Sequence, residues 1–401
     1  MRLPVCAFAL AVLSPLAALA QPAPAADPNA PAAAPGAPPM GMPTPPPPPP
    51  PPAAAVVVVP APPPAPPAKT WKDLITVDGL VDGYYQINIT DGDSRTPPVG
   101  LVPVRSFDYN ANTFTLNYAK IGIGVNPEPV GLRIDIGYGA TALAVNSPAS
   151  FPILLQQAYA TAAMGGFTLD FGKFMTTAGA EVIEANKNWN YSRSILFYNI
   201  PLVHTGVRGT LKVNDMLTLQ GSIVNGWNGQ GFEVDVNAGK TFGVSINLTV
   251  PSGPNIIATG YFGKEFGGSD TRILGDLVVA HTIGDLGLNL NVDYLNDKAG
   301  GIDNLFGVAG MVRKPLTDNF VLAGRAEYVK NADLWTLYEV TLTGAIPVAS
   351  RYEVRIEGRG DFSKNDNFNA QPMLTPTGGL SLGMPDKKQQ FTATAAFLAW
   401  F

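Results

Sequence analysis

The chain of 401 residues contains few of the residue types that catalytic and metal centres use. It has one cysteine and two histidines, too few for a zinc finger, a histidine cluster or a Cys/His nucleophilic pair. Only 14% of its residues are charged, below the roughly 25% of an average soluble domain. The net charge of -5 and the pI near 5.1 argue against a nucleic-acid-binding protein, which would carry a basic face.

Long apolar runs are also missing, since no stretch of 18 apolar residues follows Trp71. A helical membrane protein is therefore excluded. The first twenty residues combine Arg2, the short apolar run Val5–Leu13 and the small-residue pattern Ala18-Leu19-Ala20. This pattern predicts a cleaved signal peptide at residues 1–20 and export of the chain. Cys6 lies inside it, so we expect the mature chain to have no disulfide.

Residues 21–70 form an Ala/Pro-rich segment. It holds 22 of the 39 prolines, with eight in succession from Pro45 to Pro52. Such a segment has few backbone donors, favours an extended polyproline II conformation and cannot bury a core. It is predicted to be a disordered periplasmic linker. Two roles stay open for it, a spacer or a docking site for a periplasmic partner or the cell wall.

From residue 71 onward, apolar and polar residues alternate in many short segments. Leu286–Tyr294 (LGLNLNVDY), Phe242–Leu248 and Leu132–Tyr138 show the pattern clearly. Side chains alternate between the two faces of a strand, so each segment has one apolar and one polar face. Sixteen strands are predicted, with 14 to 18 as the acceptable range: 74–90, 112–125, 130–143, 152–164, 167–176, 203–213, 216–227, 239–249, 255–265, 271–283, 286–297, 305–315, 319–330, 334–347, 350–363 and 390–401.

The connections between these strands alternate in length. Long ones (Asp91–Ala111, Thr177–Leu202, Asn228–Ala238, Ser363–Gln389) alternate with tight ones (Asn126–Pro129, Gly165-Gly166, Asn214-Asp215, Gly284-Asp285). A soluble sandwich has no reason to sort its loops in this way, whereas outer-membrane barrels have short periplasmic turns and long external loops. The predicted fold is all-β, a closed antiparallel transmembrane barrel spanning residues 71–401 in a Gram-negative outer membrane, in contact with its lipid.

Three further features agree with a barrel: the positions of the prolines, the aromatic-rich end of the chain and the aromatic residues near strand ends. The 15 prolines after Trp71 lie in or beside connections, as expected because proline cannot donate to a strand ladder. The chain ends on the aromatic-rich strand Phe391–Phe401 (FTATAAFLAWF), which resembles the signal offered to the barrel-insertion machinery, with Phe401 as the contact. At Ala119-Lys120, by contrast, the alternation of apolar and polar residues shifts by one position, which predicts a bulge or a register error there. Interfacial girdles are expected from Tyr84, Tyr138, Tyr294, Tyr352 and Trp335.

Three stretches of the chain resemble the OmpL-like β-barrel porins of Gram-negative bacteria. They are Val130–Ala142 (VGLRIDIGYGATA), Gln156–Ala160 (QQAYA) and Leu169–Gly209, which contains LDFGKF, EVIEANKNWNYSRS and HTGVRG in the order of that family. The resemblance covers about Asp73 to Phe401 and leaves out the proline-rich segment. It implies an outer-membrane channel, but it brings few functional residues with it.

The third external loop, 177–202, is the most informative connection. Because a barrel of about sixteen strands leaves an aqueous channel unless something fills it, we expect this loop to fold inward and narrow the lumen. The predicted constriction residues are Glu181, Glu184, Lys187 and Arg193. The alternative is an external lid or an oligomer contact.

The alternate strand residues that should point into the barrel predict a lumen wall rich in charged side chains. Its members are Asp78, Asp82, Arg133, Asp135, Asp170, Arg208, Asp293, Arg325, Glu327, Glu339, Glu353, Arg355, Glu357 and Arg359. Acids slightly outnumber bases among them, which predicts a slight preference for cations. Glu353, Arg355, Glu357 and Arg359 are instead interpreted mainly as a ladder whose charges neutralise one another.

Enzymatic functions are disfavoured. His204 and His281 are the only candidate bases, and His204 is interpreted as a structural hydrogen-bonding residue. No catalytic, cofactor-binding or metal-ligating residues are predicted. The predicted function is passive diffusion of small hydrophilic solutes or ions through an outer-membrane porin. The alternative is a non-conducting structural barrel that anchors the envelope or binds a partner through its loops or its proline-rich segment.

Overall fold

The computed structural model describes residues 70, 74–90, 104–127, 129–146, 152–228, 238–265, 271–332, 334–368, 372–374, 380–382 and 385–401. The predicted signal peptide and, apart from Thr70, the predicted proline-rich linker lie outside these ranges. The described part of the chain begins its regular structure at Ile75.

Sixteen antiparallel strands close into one barrel, which confirms the predicted fold and strand count. Each strand pairs with its neighbours in chain order, and the first strand pairs with the last, with Leu80 opposite Trp400. The strands are β1 Ile75–Asn88, β2 Phe114–Val125, β3 Val130–Tyr138, β4 Ile153–Met164, β5 Phe167–Met175, β6 Val203–Lys212, β7 Leu217–Val224, β8 Thr241–Thr249, β9 Asn255–Gly263, β10 Arg272–Ile283, β11 Leu286–Asp297, β12 Ile302–Thr317, β13 Phe320–Asn331, β14 Trp335–Ala349, β15 Tyr352–Ser363 and β16 Gln389–Trp400.

The remaining regular elements are small and lie in the long connections. Two short helices, α1 Ala140–Val145 and α2 Ile195–Tyr198, follow β3 and β5. Single 3-10 turns occur at Ala185–Lys187 and Lys298–Gly300, and Pro372–Leu374 pairs with Leu380–Leu382 in a two-stranded ribbon. In the described ranges, every helix is too short or too polar to cross a bilayer.

The two faces of the barrel differ as the alternation predicts. In β8, Phe242, Val244 and Ile246 are exposed on the outside, whereas Ser245 between them is buried inside. In β3 the exposed Ile134 and Ile136 flank the fully buried Asp135. The outside is therefore apolar enough to face hydrocarbon, and the polar side chains face the interior.

The connections confirm the predicted alternation in length. The turns 165–166, 284–285 and 350–351 have two residues each, whereas the connections that follow β1, β5 and β15 have 25 or more, as the strand bounds show. Pro315 and Pro347 each lie two residues before the end of their strand, β12 and β14. The ladder changes register directly after each of them, which is how a strand accommodates a residue without an N–H.

The predicted bulge is present in β2, slightly before Ala119. Asp82 pairs with Tyr118 and the next residue, Gly83, pairs with Leu116, so Asn117 is the extra residue. Asn117 and Tyr118 consequently both point inward and are buried.

The expected aromatic girdle is partly wrong. Tyr138, Tyr294 and Tyr352 are exposed on the outside. Tyr84 instead points inward and is buried, with its ring centre 5.7 Å from that of Tyr191. Trp335 is partly buried and packs against a cluster of buried apolar side chains that includes Leu305 and Leu337.

An arginine on the outer face should destabilise the barrel in a depth-dependent way. Val244, 56% exposed near the middle of β8, should lose about 2–4 kcal/mol of unfolding free energy in lipid vesicles as V244R, because a charge at mid-bilayer is poorly solvated. The matched control is V250R, at the turn after β8, where little change is expected. Equal urea midpoints for the two variants would contradict a lipid-facing outer surface.

Candidate functional site

Residues 176–202, here named the inner loop, connect β5 to β6 and cross the interior of the barrel. At the start of the loop, the hydroxyl groups of Thr177 and Tyr261 in β9 lie 3.1 Å apart. The N–H of Ala180 then donates to Asn291 in β11 at 3.1 Å. Further along, the Tyr191 hydroxyl donates to Asp82 in β1 at 2.8 Å. The loop therefore reaches from one side of the wall to the other.

The loop keeps its shape through Arg193, a predicted constriction residue. The guanidinium group donates to the carbonyl of Val182 at 3.1 Å and also to the carbonyls of Tyr191 and Ile183. It lies 5.2 Å from the ring centre of Phe107. Arg193 is almost fully buried, and its hydrogen bonds to three loop carbonyls hold the loop backbone together.

Strands β13 and β14 hold the inner loop through a buried charge network. Arg325 Nη1 donates to Glu181 Oε1 at 2.8 Å, and Arg325 Nε donates to Glu339 at 3.1 Å. Glu327 accepts hydrogen bonds from the N–H groups of Ile195 and Leu196, at 2.8 and 3.2 Å. Arg325, Glu327 and Glu339 have no exposed side-chain surface, so the loop covers this part of the wall completely.

The four charges of β15 neutralise one another only in part. Arg355 pairs with Glu353 at 2.5 Å, as the ladder predicts. Glu357, however, accepts from two backbone N–H groups of the inner loop at 2.6 and 3.0 Å. Arg359 donates to a loop carbonyl at 2.6 Å and to Asp361 at 2.8 Å. The strand therefore binds the loop as much as it balances its own charge.

A second segment, residues 104–110 of the first long connection, also lies inside the barrel, and sequence reasoning missed it. Arg105 donates to Asp361 at 3.0 Å and to Thr392 at 2.8 Å. The ring of Phe107 meets that of Phe197 edge-on at 5.7 Å, which joins this segment to α2. Asp361 continues the inward parity of β15, so parity could have found that residue, but the Arg105 contact has no pattern in the sequence.

On the side of β1 to β3, a cluster of charges meets the inner loop. Lys120 Nζ lies 2.6 Å from Glu184 Oε1 and 3.4 Å from Asp135. Arg133 bonds to both Asp135 and Asp78 at 2.6 Å. Burial alone would raise the pKa of Glu184, but Lys120 and then Lys187 outweigh it and lower the pKa to about 2. Lys120 was missed as a site residue, although the parity break at this position was its signal.

Asp170 and Arg208 form a separate pair on β5 and β6. Arg208 Nη2 lies 2.8 Å from Asp170 Oδ2, and Thr161 donates to the same carboxylate at 2.6 Å. The guanidinium group also lies 4.4 Å from the ring centre of Phe174. The pair is inward-facing, as predicted, but it does not touch the inner-loop charges.

The two histidines lie apart from these charges. His204 is buried, stacks on Tyr261 at 4.7 Å between ring centres and places Nδ1 3.3 Å from the carbonyl oxygen of Gly226. His281 is half-buried near the end of β10. Searched over the described ranges, the chain holds no His/Cys/Asp/Glu cluster suited to a metal ion.

Two cavities lie between the inner loop and the wall of β1 to β5. The first, of about 470 Å³, is lined by charged residues and by Gln157, Tyr159 and Trp400. The second, of about 150 Å³, is lined by Met175, Phe197 and Leu202 among others. Three residues line both cavities: Gln157, Glu184 and Lys187.

Comparisons with known proteins agree with this architecture. Residues 74–401 match the family described as "Putative beta-barrel porin-2, OmpL-like". Among solved structures, OprB of Pseudomonas putida has a TM-score of 0.56 at 12% identity, covering 82% of this chain and 95% of its own. OmpT of Vibrio cholerae has a TM-score of 0.54 at 12% identity, covering 82% and 97%.

A third solved structure, an anion-selective porin from Comamonas acidovorans, has a TM-score of 0.52 at 11% identity and covers 82% of this chain and 99% of its own. At such identities the likeness shows the fold. No curated protein matches the chain.

Removing Arg325 should destabilise the barrel strongly. In R325M, Glu181, Glu327 and Glu339 would stay buried without their shared cation, and breaking a buried pair in this way costs about 3–5 kcal/mol. The measurement is denaturant unfolding in detergent. In the control K212M, an exposed pair with Asp215 is lost and little change is expected. Similar losses in both variants would contradict the structural role of the network.

Acid should weaken the contact between the inner loop and the wall. Because the pKa of Glu184 is lowered from 4.5 to about 2 in the folded protein, its contribution to stability is complete above about pH 4.5 and is lost as the pH falls toward 2. The unfolding midpoint, followed from pH 6 to pH 2, should fall more steeply in the wild-type protein than in E184Q. Parallel curves would show that Glu184 does not contribute.

Proposed function

Because the chain belongs to the OmpL-like β-barrel porin family, we propose that it is a channel for passive diffusion of small hydrophilic solutes and ions. Its location is the outer membrane of a Gram-negative bacterium, where the apolar outer face contacts lipid. The solute gradient drives the flow and no chemical step is involved. The observation that carries the proposal is the sixteen-strand barrel with a polar interior.

The inner loop is proposed to narrow this channel. Support comes from its contacts on opposite sides of the wall, with Tyr261 in β9 and Asp82 in β1. In this proposal Glu181, Glu184 and Arg193 fix the position of the loop, because all three are buried in hydrogen bonds. Lys187, whose side chain is largely exposed and lines both cavities, is the loop residue that meets the solute.

The wall residues that were predicted to point inward also fall into two groups, those that hold the loop and those that face the lumen. Arg325, Glu327, Arg355, Glu357 and Arg359 are proposed to hold the loop. Arg133, Asp135, Asp170, Arg208 and Glu353 are proposed to shape the remaining lumen. Outside the lumen, Phe401 is proposed as the contact for the barrel-insertion machinery, and residues 21–70 as a spacer or a cell-wall contact.

A second candidate function is a non-conducting structural barrel. The observation that favours it is the amount of chain inside the barrel, since residues 104–110 and the inner loop both pack against buried wall residues such as Asp361 and Arg325. In that case the external connections or the proline-rich segment would bind a partner.

Planar-bilayer recording separates the two functions. We expect discrete conductance steps for the wild-type protein and a smaller step for Q157W, because Gln157 lines both cavities and added bulk there narrows the path. The matched control is A160W, which places the same side chain on the exposed outer face of β4 and should leave the step unchanged. Silence from correctly inserted protein would favour the structural barrel.

The constriction itself is tested by replacing residues 178–201 with a short Gly/Ser linker. Conductance should rise, because the linker leaves the lumen open. An unchanged conductance for this variant, together with an unchanged step for Q157W, would contradict the proposed narrowing. Using both variants avoids dependence on the folding of the shortened protein.

A further inference from the structure

The side chains that line the first cavity include as many acids as bases, but their exposure differs. Asp78, Asp135 and Glu184 supply three negative charges, and Lys120, Arg133 and Lys187 supply three positive ones. A solute in the cavity senses an exposed charge more strongly than a charge buried behind its counter-ion. The sign that a passing ion meets therefore depends on which of the six side chains reach the water.

The acids are mostly withdrawn from the cavity. The side chain of Asp135 is 0% exposed and is held by Arg133 and Gln157, each at 2.6 Å. Glu184 is 5% exposed and is held by Lys120 at 2.6 Å. Asp78 is 41% exposed, but both of its oxygens face cations, with Arg133 at 2.6 Å and Lys120 at 3.8 Å.

Lys187 is placed differently. It lies in the 3-10 turn Ala185–Lys187 of the inner loop, its side chain is 57% exposed, and it lines both cavities. Its acidic neighbour, Glu184, is 3.4 Å away and is bonded more closely to Lys120. The positive charge of Lys187 thus faces the path between the cavities, whereas the compensating negative charge lies behind it.

We propose that Lys187 is the residue that sets the ion preference of the channel, and that it favours small anions such as solutes carrying a carboxylate or phosphate group. This inference rests on the proposed channel function and adds a substrate class to it. It also reverses the cation preference expected from counting acids and bases along the strands. The count gives buried and exposed charges equal weight, whereas here Lys187, at 57% exposure, is more exposed than any of the three acids and than the other two bases, Lys120 at 2% and Arg133 at 21%.

The effect of Lys187 on ion permeability can be calculated from one unit charge acting on an ion through water. At about 4 Å in water, one unit charge changes the local ion concentration about fivefold. Because the positive charge raises the chloride concentration and lowers the potassium concentration, each by this factor, neutralising Lys187 should lower the ratio of chloride to potassium permeability by about 25-fold. Reversing its charge should lower the ratio further and give a channel that prefers potassium.

The test is the reversal potential of single channels in a KCl gradient, measured for the wild-type protein, K187Q and K187E. The matched control is K212Q, since Lys212 is equally exposed but lies at a turn of β6 and pairs with Asp215 at 2.8 Å, away from both cavities. We expect anion preference in the wild-type protein and in K212Q, a reduced ratio in K187Q and an inverted preference in K187E.

Other outcomes would count against the inference in separable ways. Cation preference in the wild-type protein, or equal reversal potentials for the wild-type protein and K187E, would overturn the role of Lys187 and leave the channel function intact. Absence of conductance steps in every variant would overturn the channel function and this inference together. Since only conducting channels give a reversal potential, a misfolded variant cannot imitate a change of preference.

Discussion

A backbone N–H or C=O group in hydrocarbon has no water to bond with, and this constraint determines the rest of the structure. A set of strands can satisfy it only by closing, so that no edge is left. The pairing of β1 with β16, from Leu80 opposite Trp400 to Asn88 opposite Thr392, completes that closure. Once the sheet is closed, alternate side chains must face either lipid or the interior. The apolar outside and the polar inside are both consequences of the same constraint.

The polar interior creates a second problem, because charges that leave water need partners. The inner loop supplies many of them. Glu357 and Glu327 accept hydrogen bonds from backbone N–H groups of the loop. Arg355 and Arg359 donate hydrogen bonds to its carbonyl groups. The loop also contributes Glu181, which faces Arg325. Wall and loop each satisfy groups that the other would leave unpaired, so the loop position follows from the side chains of β13 to β15.

Sequence patterns predicted the parts of this structure that depend on local geometry. The bounds of β11 match the predicted segment 286–297, and Asp135, Arg325 and Glu357 face inward as parity requires. A period of two tells which face a side chain occupies, but it does not tell what lies opposite across the barrel. The contacts of Arg193 with its own loop and of Arg105 with Asp361 therefore could not be predicted.

Local exceptions to the alternation explain the remaining differences. The extra residue Asn117 in β2 turns Tyr118 inward, where its hydroxyl donates to Gln156 at 2.5 Å. It also aligns Lys120 with Glu184 of the inner loop. The break in the alternation of β2 thus marks the place where the wall meets the loop.

The same arrangement decides where an open path can run. Because β13 to β15 are covered by the inner loop, the two cavities lie on the side of β1 to β5, and Gln157 and Lys187 border both. In the proposed channel, the charge that a solute meets depends less on the total charge of the wall than on which charges the loop leaves exposed. A substitution on β13 that shifted the loop would alter the path from the opposite side of the barrel, without touching a residue that lines it.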